Sequence, residues 1–271
     1  MKENNSRRTF ITVLTMVLLG ILPQLAHAEP SPQEIVKQSL KAFYYAGNDM
    51  SVRVSMSLIN AQGKQRRREL TLLRRNMGAS GAEQRYFIYF HAPADVSGMT
   101  FMVWKMLKRD DDRWIFIPAI KMVRRIAAND KRSSFVGSDF TYEDVSGREV
   151  TDENHKLLRS ESWNGQPCFV IESRPISSSD YSRRTCWIDK KNWLPLKEEY
   201  VDARGQKIRE FIADEVKEVG GHWTVTKRTM KNFQTGHRTE VVFSQLSYNV
   251  GLEDDLFTER YLSQPPRKWI H

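Results

Sequence analysis

The sequence has little of the chemistry around which soluble enzymes are built. It holds only two cysteines in 271 residues, Cys168 and Cys186, and no Cys-x-x-Cys pair. Beyond the first 28 residues its histidines, His91, His155, His222, His237 and His271, are scattered. None sits in an H-E-x-x-H motif that would seat a zinc ion. A G-x-S-x-G nucleophile elbow, a phosphate-cradling glycine loop and a dinucleotide fingerprint are all missing. Asp110-Asp111-Asp112 offers carboxylates, but Arg113 and Trp114 follow where a calcium loop needs alternating oxygen ligands and a glycine bend. The triplet reads as a hairpin turn. Asp139, Glu143 and Asp144 stand close in sequence, with nothing nearby to favour acid–base work over surface charge. The expectation is a protein that is not an enzyme and holds no metal or cofactor.

Long apolar runs are missing too, except at the start. Lys2, Arg7 and Arg8 precede an apolar stretch from Phe10 to Leu22, and Ala26-His27-Ala28 supplies a small-x-small cleavage pattern. Residues 1–28 therefore read as a secretory signal peptide cut after Ala28, and residues 29–271 as one exported domain. Ser6-Arg7-Arg8-Thr9-Phe10-Ile11 also has the look of a twin-arginine export motif. Nothing points to a folded, cofactor-loaded cargo, so the general secretory route is expected. No cysteine follows the apolar stretch to carry a lipid anchor.

Negative charge is in deficit. Past Ala28 the chain keeps 39 Lys and Arg against 32 Asp and Glu, a formal charge of +7. That balance favours anionic surfaces such as lipid headgroups or lipopolysaccharide. Arg66-Arg67-Arg68, Arg74-Arg75, Arg183-Arg184 and Lys190-Lys191 could also meet nucleic acid. An exported setting argues against nucleic acid and for an anionic membrane surface.

What is present is mostly strand. Residues 31–46 form one amphipathic helix: Ser31 caps it, Pro32 takes the first helical position, and Ile35, Leu40, Phe43 and Tyr44 share a side. Gly47 stops it. After that the helical period disappears. Val52, Val54, Met56 and Leu58 alternate with polar residues, and turn signals recur at 60–64, Asn164-Gly165, 202–206, Gly220-Gly221 and Thr235-Gly236. About eleven antiparallel strands are predicted, at the spacing of a barrel or sandwich. Cys168 and Cys186 fall on two strands flanking a Ser-rich turn at 177–179, an arrangement that predicts a disulfide between them, with two buried thiols as the alternative.

Several strands are apolar on both faces. Tyr86-Phe87-Ile88-Tyr89-Phe90, Met99 to Met106 and Trp114-Ile115-Phe116-Ile117 do not alternate, and an antiparallel strand of this kind needs cover on its second face. One helix looks insufficient, which leaves either a second packed layer or a bound apolar ligand. The ten methionines would suit adaptable walls.

Residues 98–105 (GMTFMVWK), 111–126 (DDRWIFIPAIKMVRRI) and 131–144 (KRSSFVGSDFTYED) resemble the outer-membrane lipoprotein-sorting protein family with a LolA-like domain. Residues 165–172 (GQPCFVIE) and 187–197 (WIDKKNWLPLK) are similar to its later strands. The resemblance implies an incomplete antiparallel β-barrel with helices across its mouth and an apolar cavity between. It further implies a periplasmic carrier of lipid or lipoprotein acyl chains, working with an inner-membrane transporter of the RND type. The run SFVGSDFTYED (134–144) is absent from the shorter lipoprotein carriers, so their cargo is not carried over. A docking module that holds no cargo is the alternative. Candidate cavity and lid residues are Phe87, Tyr89, Met99, Phe101, Val103, Trp114, Phe116, Met122, Phe135, Phe140 and Tyr142, with the helix at 31–46 and then the segment 133–144 as the predicted lid. Pattern alone does not decide which strand parity faces inward.

Overall fold

The structure, a computed structural model, describes residues 1, 29–78, 81–107 and 109–270. The predicted signal peptide and its cleavage point at Ala28 lie outside the described residues.

Helix α1 (Pro32–Tyr44) forms as its sequence dictates. The Ser31 side chain accepts from the Glu34 amide at 3.2 Å, Pro32 opens the helix, and Ile35 and Val36 are buried. Gly47, at φ 66°, lets the chain leave the helix against Tyr248, where a Cβ would stand 2.9 Å from the ring.

The rest is a single antiparallel sheet of thirteen strands, two more than the turn signals suggest. The first six are β1 (Asp49–Ile59), β2 (Gln65–Met77), β3 (Glu83–Ala92), β4 (Thr100–Lys105), β5 (Asp112–Ile117) and β6 (Met122–Ile126). The other seven are β7 (Glu153–Trp163), β8 (Gln166–Pro175), β9 (Arg183–Asp189), β10 (Pro195–Val201), β11 (Lys207–Val219), β12 (His222–Asn232) and β13 (Arg238–Tyr248). Each set is a meander, and the two join where β1 pairs with β13. The predicted Asn-Gly turn is present: Asn164 and Gly165 take φ 48° and 80° and close the β7–β8 hairpin.

Strands β6 and β7 are the two edges, so the sheet is an unclosed barrel. They are also consecutive in the chain. Residues 127–152 must therefore cross from one edge to the other, and this crossing carries α2 (Tyr142–Ser146). The sheet is curved enough for Phe101 of β4 and Phe211 of β11 to share one core cluster, together with Phe135 and Phe140 of the crossing segment.

The second face of the apolar strands is covered by protein, from a segment that the hydrophobic pattern did not mark. Leu252, Leu256, Phe257 and Leu262, the last on α3 (Arg260–Ser263), pack on Leu73, Phe87, Met102 and Trp114. Polar contacts fix the segment: Asp49 accepts from the amides of Val250, Gly251 and Leu252, and Trp104 Nε1 donates to the Phe257 carbonyl at 2.9 Å. A buried Leu contributes about 2 kcal/mol and a buried Phe about 3 kcal/mol, which is enough to keep this outer layer in place.

The predicted disulfide is not formed; Cys168 and Cys186 are both buried free thiols. The β8–β9 register opposes Cys168 to Asp189 and Cys186 to Ile171. The three-residue offset separates the cysteines by about 10 Å along the strand. Being odd, it also turns them to opposite faces of the sheet. The residues between the strands do not form a tight turn at 177–179, and that shifts the pairing.

Candidate functional site

Register fixes the parity that the sequence left open. On the concave face stand Val52, Val54, Met56 and Leu58 of β1, Leu70 and Leu72 of β2, Tyr86, Ile88 and Phe90 of β3, and Phe101 and Val103 of β4. Of the candidate cavity residues, Phe101, Val103, Phe135 and Phe140 belong to this concave cluster, with Met99 and Tyr142 packed on it. Phe87, Tyr89, Trp114 and Phe116 lie instead on the convex face beneath the C-terminal segment. Their odd–even offset from Ile88 and Ile115 sends them there. Met122 is exposed on the edge strand β6, next to exposed Ile120 and Val123.

The crossing segment fills the bowl with its own aromatic rings. Phe135 stands 5.3 Å from Phe101, 6.1 Å from Phe90 and 5.6 Å from Tyr142, centroid to centroid. Local chemistry shapes this plug. Ser138 Oγ donates to the Phe135 carbonyl at 2.8 Å, and Thr141 and Asp144 form a capping box that starts α2. Val136 takes φ 49°, a costly choice for a β-branched residue, and its carbonyl accepts from the Arg68 guanidinium on β2. A second clasp joins Asp139 to the β12–β13 hairpin: its carboxylate accepts from Thr239 Oγ1 at 2.8 Å and lies 2.6 Å from His237 Nδ1.

Beside the plug lies a buried ionic cluster. Asp144 accepts from Arg148 at 2.7 Å and Arg209 at 3.1 Å, and Glu143 faces Arg148 at 3.0 Å and Lys131 at 3.3 Å. Burial alone would raise the Asp144 carboxyl, but Arg209 and Arg148 outweigh it and hold the group well below the usual carboxylate range. Glu153 is similarly placed, with Arg184 at 2.5 Å and the Tyr181 hydroxyl at 2.8 Å; against burial, these lower it to about 2. Tyr44 of α1 donates to the Asp144 carbonyl at 3.2 Å, which ties the helix to α2.

With helix and plug in place, little room remains. One cavity of about 40 Å³ lies under α1 between Phe43, Phe140, Ile188 and Met230. A second, of about 50 Å³, lies between Met50, Leu72, Tyr86 and Phe243. Either holds a water or two; neither holds an acyl chain. Outside, an open recess of about 1400 Å³ runs along the exposed side of α1, past Lys37, Lys41, Trp193 and Trp223. Ala42, Ala46 and Trp223 border both this recess and the second cavity, so the last turns of α1 are the partition between them.

The fold has counterparts elsewhere. A family model described as "Uncharacterized protein" matches residues 82–264. The chain is 32% identical to an outer membrane lipoprotein-sorting protein domain from Vibrio parahaemolyticus, over 86% of this chain and 98% of that one, with a TM-score of 0.78. This chain belongs to that outer membrane lipoprotein-sorting protein family. A DUF1329 family protein from Desulfovibrio piger is 28% identical over 86% of this chain and all of the other, again with a TM-score of 0.78. A LolA superfamily protein from Nitrosomonas europaea shares the fold at 18% identity and a TM-score of 0.67. No curated protein matches the chain.

The residues missed by sequence reading are mainly inward-facing arginines, of which Arg148 and Arg209 are buried and Arg228 is half-buried. Arg148, Arg209 and Arg228 look like surface charge in the sequence. Arg209 and Arg228 each carried a usable signal: they stand two residues before buried Phe211 on β11 and buried Met230 on β12 and therefore share those faces.

Proposed function

We propose that the protein is a periplasmic carrier that holds acyl chains of lipids or lipoproteins in the concave bowl, in place of its own plug. The observation that carries this reading is the plug itself. Phe135, Phe140 and Tyr142 occupy an apolar bowl on a segment that crosses between two unpaired sheet edges and belongs to no strand. Exposing Phe135 and Phe140 costs about 5–6 kcal/mol, and each acyl methylene buried returns about 0.8 kcal/mol. Roughly seven methylenes then balance the opening, so a long chain opens the bowl and a short one does not.

Delivery requires contact with membranes. The β5–β6 hairpin presents exposed Ile120, Met122 and Val123 beside Lys121, Arg124 and Arg125 on an edge strand. That combination suits the interface of an anionic bilayer, with basic side chains at the headgroups and apolar ones below them. An RND-type transporter is the proposed inner-membrane partner.

The test is direct. Protein extracted gently from the periplasm should carry lipid detectable by native mass spectrometry, and delipidated protein should bind a long-chain acyl probe saturably at one site. Protein that carries no lipid and binds no probe would instead be a docking module without cargo.

A further inference from the structure

Most buried cations around the bowl are matched by carboxylates. Arg148 has Glu143 and Asp144, Arg184 has Glu153 and Glu198, and Arg209 has Asp144 and Asp180. Arg74 spends its guanidinium on the Ala46 carbonyl and on Asn76. Arg113 is buried as well, but it has Asp111 at 2.6 Å and lines neither cavity.

Arg228 differs. Among the described residues it has no ion pair and no hydrogen bond, and its Nε is buried without a partner. The register opposes it to Val241 of the concave core, and it lines both internal cavities. Three rings surround it, with its guanidinium carbon 4.8 Å from the Phe243 centroid, 5.5 Å from Phe43 and 5.7 Å from Phe140. Ring faces stabilise the cation from above and below its plane. They accept none of its in-plane N–H groups, and those form a fork that fits an oxyanion. The carboxylate whose charge acts on it, Asp144, is already taken by Arg148 and Arg209. Burial pushes the Arg228 group below the usual arginine range, the direction expected of a cation awaiting a counter-charge.

We infer that Arg228 is a head-group anchor: the bowl takes an acyl chain that ends in an oxyanion, a carboxylate or a phosphate monoester, and seats that anion on the Arg228 fork between the two cavities. The inference rests on the carrier reading above and narrows its ligand class. Phe140, which belongs both to the plug and to the ring cage, couples the two events. Moving the plug frees one side of the guanidinium for the anion.

The experiment compares tridecanoate, monododecyl phosphate and dodecanol, which share one dodecyl chain, as ligands for the delipidated protein. Equal chains cancel the apolar contribution, so the comparison reads the head group alone. At least one anionic probe should bind about tenfold or more tighter than dodecanol. Which of the two wins distinguishes a carboxylate from a phosphate source. In Arg228→Met the anionic preference should vanish, and Arg228→Lys should retain part of it. Equal binding of all three probes by the parent overturns the anchor and leaves the carrier reading intact. That comparison uses the parent protein alone, so it holds even where a variant misfolds. An anionic preference that persists in folded Arg228→Met also overturns the anchor. Binding of none of the three overturns both.

Discussion

Phe135→Ala tests whether the plug and the ligand compete for one place. Phe135 is 2% exposed and touches Phe90, Phe101 and Tyr142. In a core that cannot rearrange, the truncation costs about 3–5 kcal/mol. In the open form the ring is already in water, so the whole loss falls on the closed form. The protein then has an escape: it can open and keep its sheet. The loss measured by urea unfolding is therefore capped by the free energy of opening, about 5–6 kcal/mol, and should fall within about 3–5 kcal/mol. Ligand affinity should move the other way. When the closed form dominates, apparent affinity scales with the open fraction, so each 2 kcal/mol removed from closing tightens binding roughly 30-fold. Titration of a long-chain acyl probe by calorimetry reads this directly. Full destabilisation together with unchanged or weaker binding would refute the reasoning, because the ring would then be ordinary core and not a stand-in for ligand.

Three further outcomes are expected. Phe101→Glu, on the concave face, should abolish acyl binding, whereas Phe116→Glu, beneath the C-terminal segment, should leave it in place; circular dichroism checks that both fold. Thiol reagent should label both cysteines in denatured, unreduced protein and neither in the native state, where burial raises Cys168 to about 11 and holds Cys186 well above the usual thiol range. Acid should unfold the β7–β9 side early. Glu153 lies below its ordinary 4.5 at about 2 in the folded state, so its contribution is complete above pH 4.5 and disappears as the pH falls toward 2. The loss is about 3 kcal/mol and is followed by equilibrium unfolding against pH.

The helix, the strand-rich pattern and the β7–β8 hairpin were legible because each rests on local chemistry: a Ser-Pro start, period-two alternation, an Asn-Gly turn. Strand parity was not. In Tyr86–Phe90 and Trp114–Ile117 both faces are apolar, so the periodicity that would orient them is absent. The assignment of Phe87 and Phe116 to the cavity rested on hydrophobicity alone. The missing cover came from residues 250–270, whose Leu252, Leu256 and Phe257 are spaced too irregularly among acids and glycine to look like a packing layer. The disulfide failed for a related reason. Register across an irregular loop is a long-range property, and a shift of three residues changes both the distance and the face. Arg228 shows the same limit in charge, since nothing local distinguishes an arginine that lacks a carboxylate from its paired neighbours.

How the bowl opens follows from what holds each part of the crossing segment. Lys131 and Arg132 on one side, and Asp144 and Arg148 on the other, converge on the ionic cluster around Glu143 and Arg209. Leaving one of these charges buried without its partner costs about 3–5 kcal/mol, so both ends of the segment are fixed. Between them, residues 134–140 are held by ring contacts, by Arg68 on the Val136 carbonyl and by the Asp139 clasp, all of which can be exchanged for ligand or water. The segment should therefore open as a flap tethered at both ends, with α2 staying in place. The Asp139 amide, which donates to Thr239 Oγ1 at 3.0 Å, and the Gly147 amide, which donates to the Glu143 carbonyl at 2.8 Å, report the two parts separately. Saturating acyl ligand should speed hydrogen exchange at Asp139 and leave Gly147 unchanged by NMR. If both amides lose protection together, the whole crossing segment moves and the ionic cluster is no tether. If neither changes while ligand is bound, the chain enters past the last turns of α1, through Ala42 and Ala46, and the plug is not the gate.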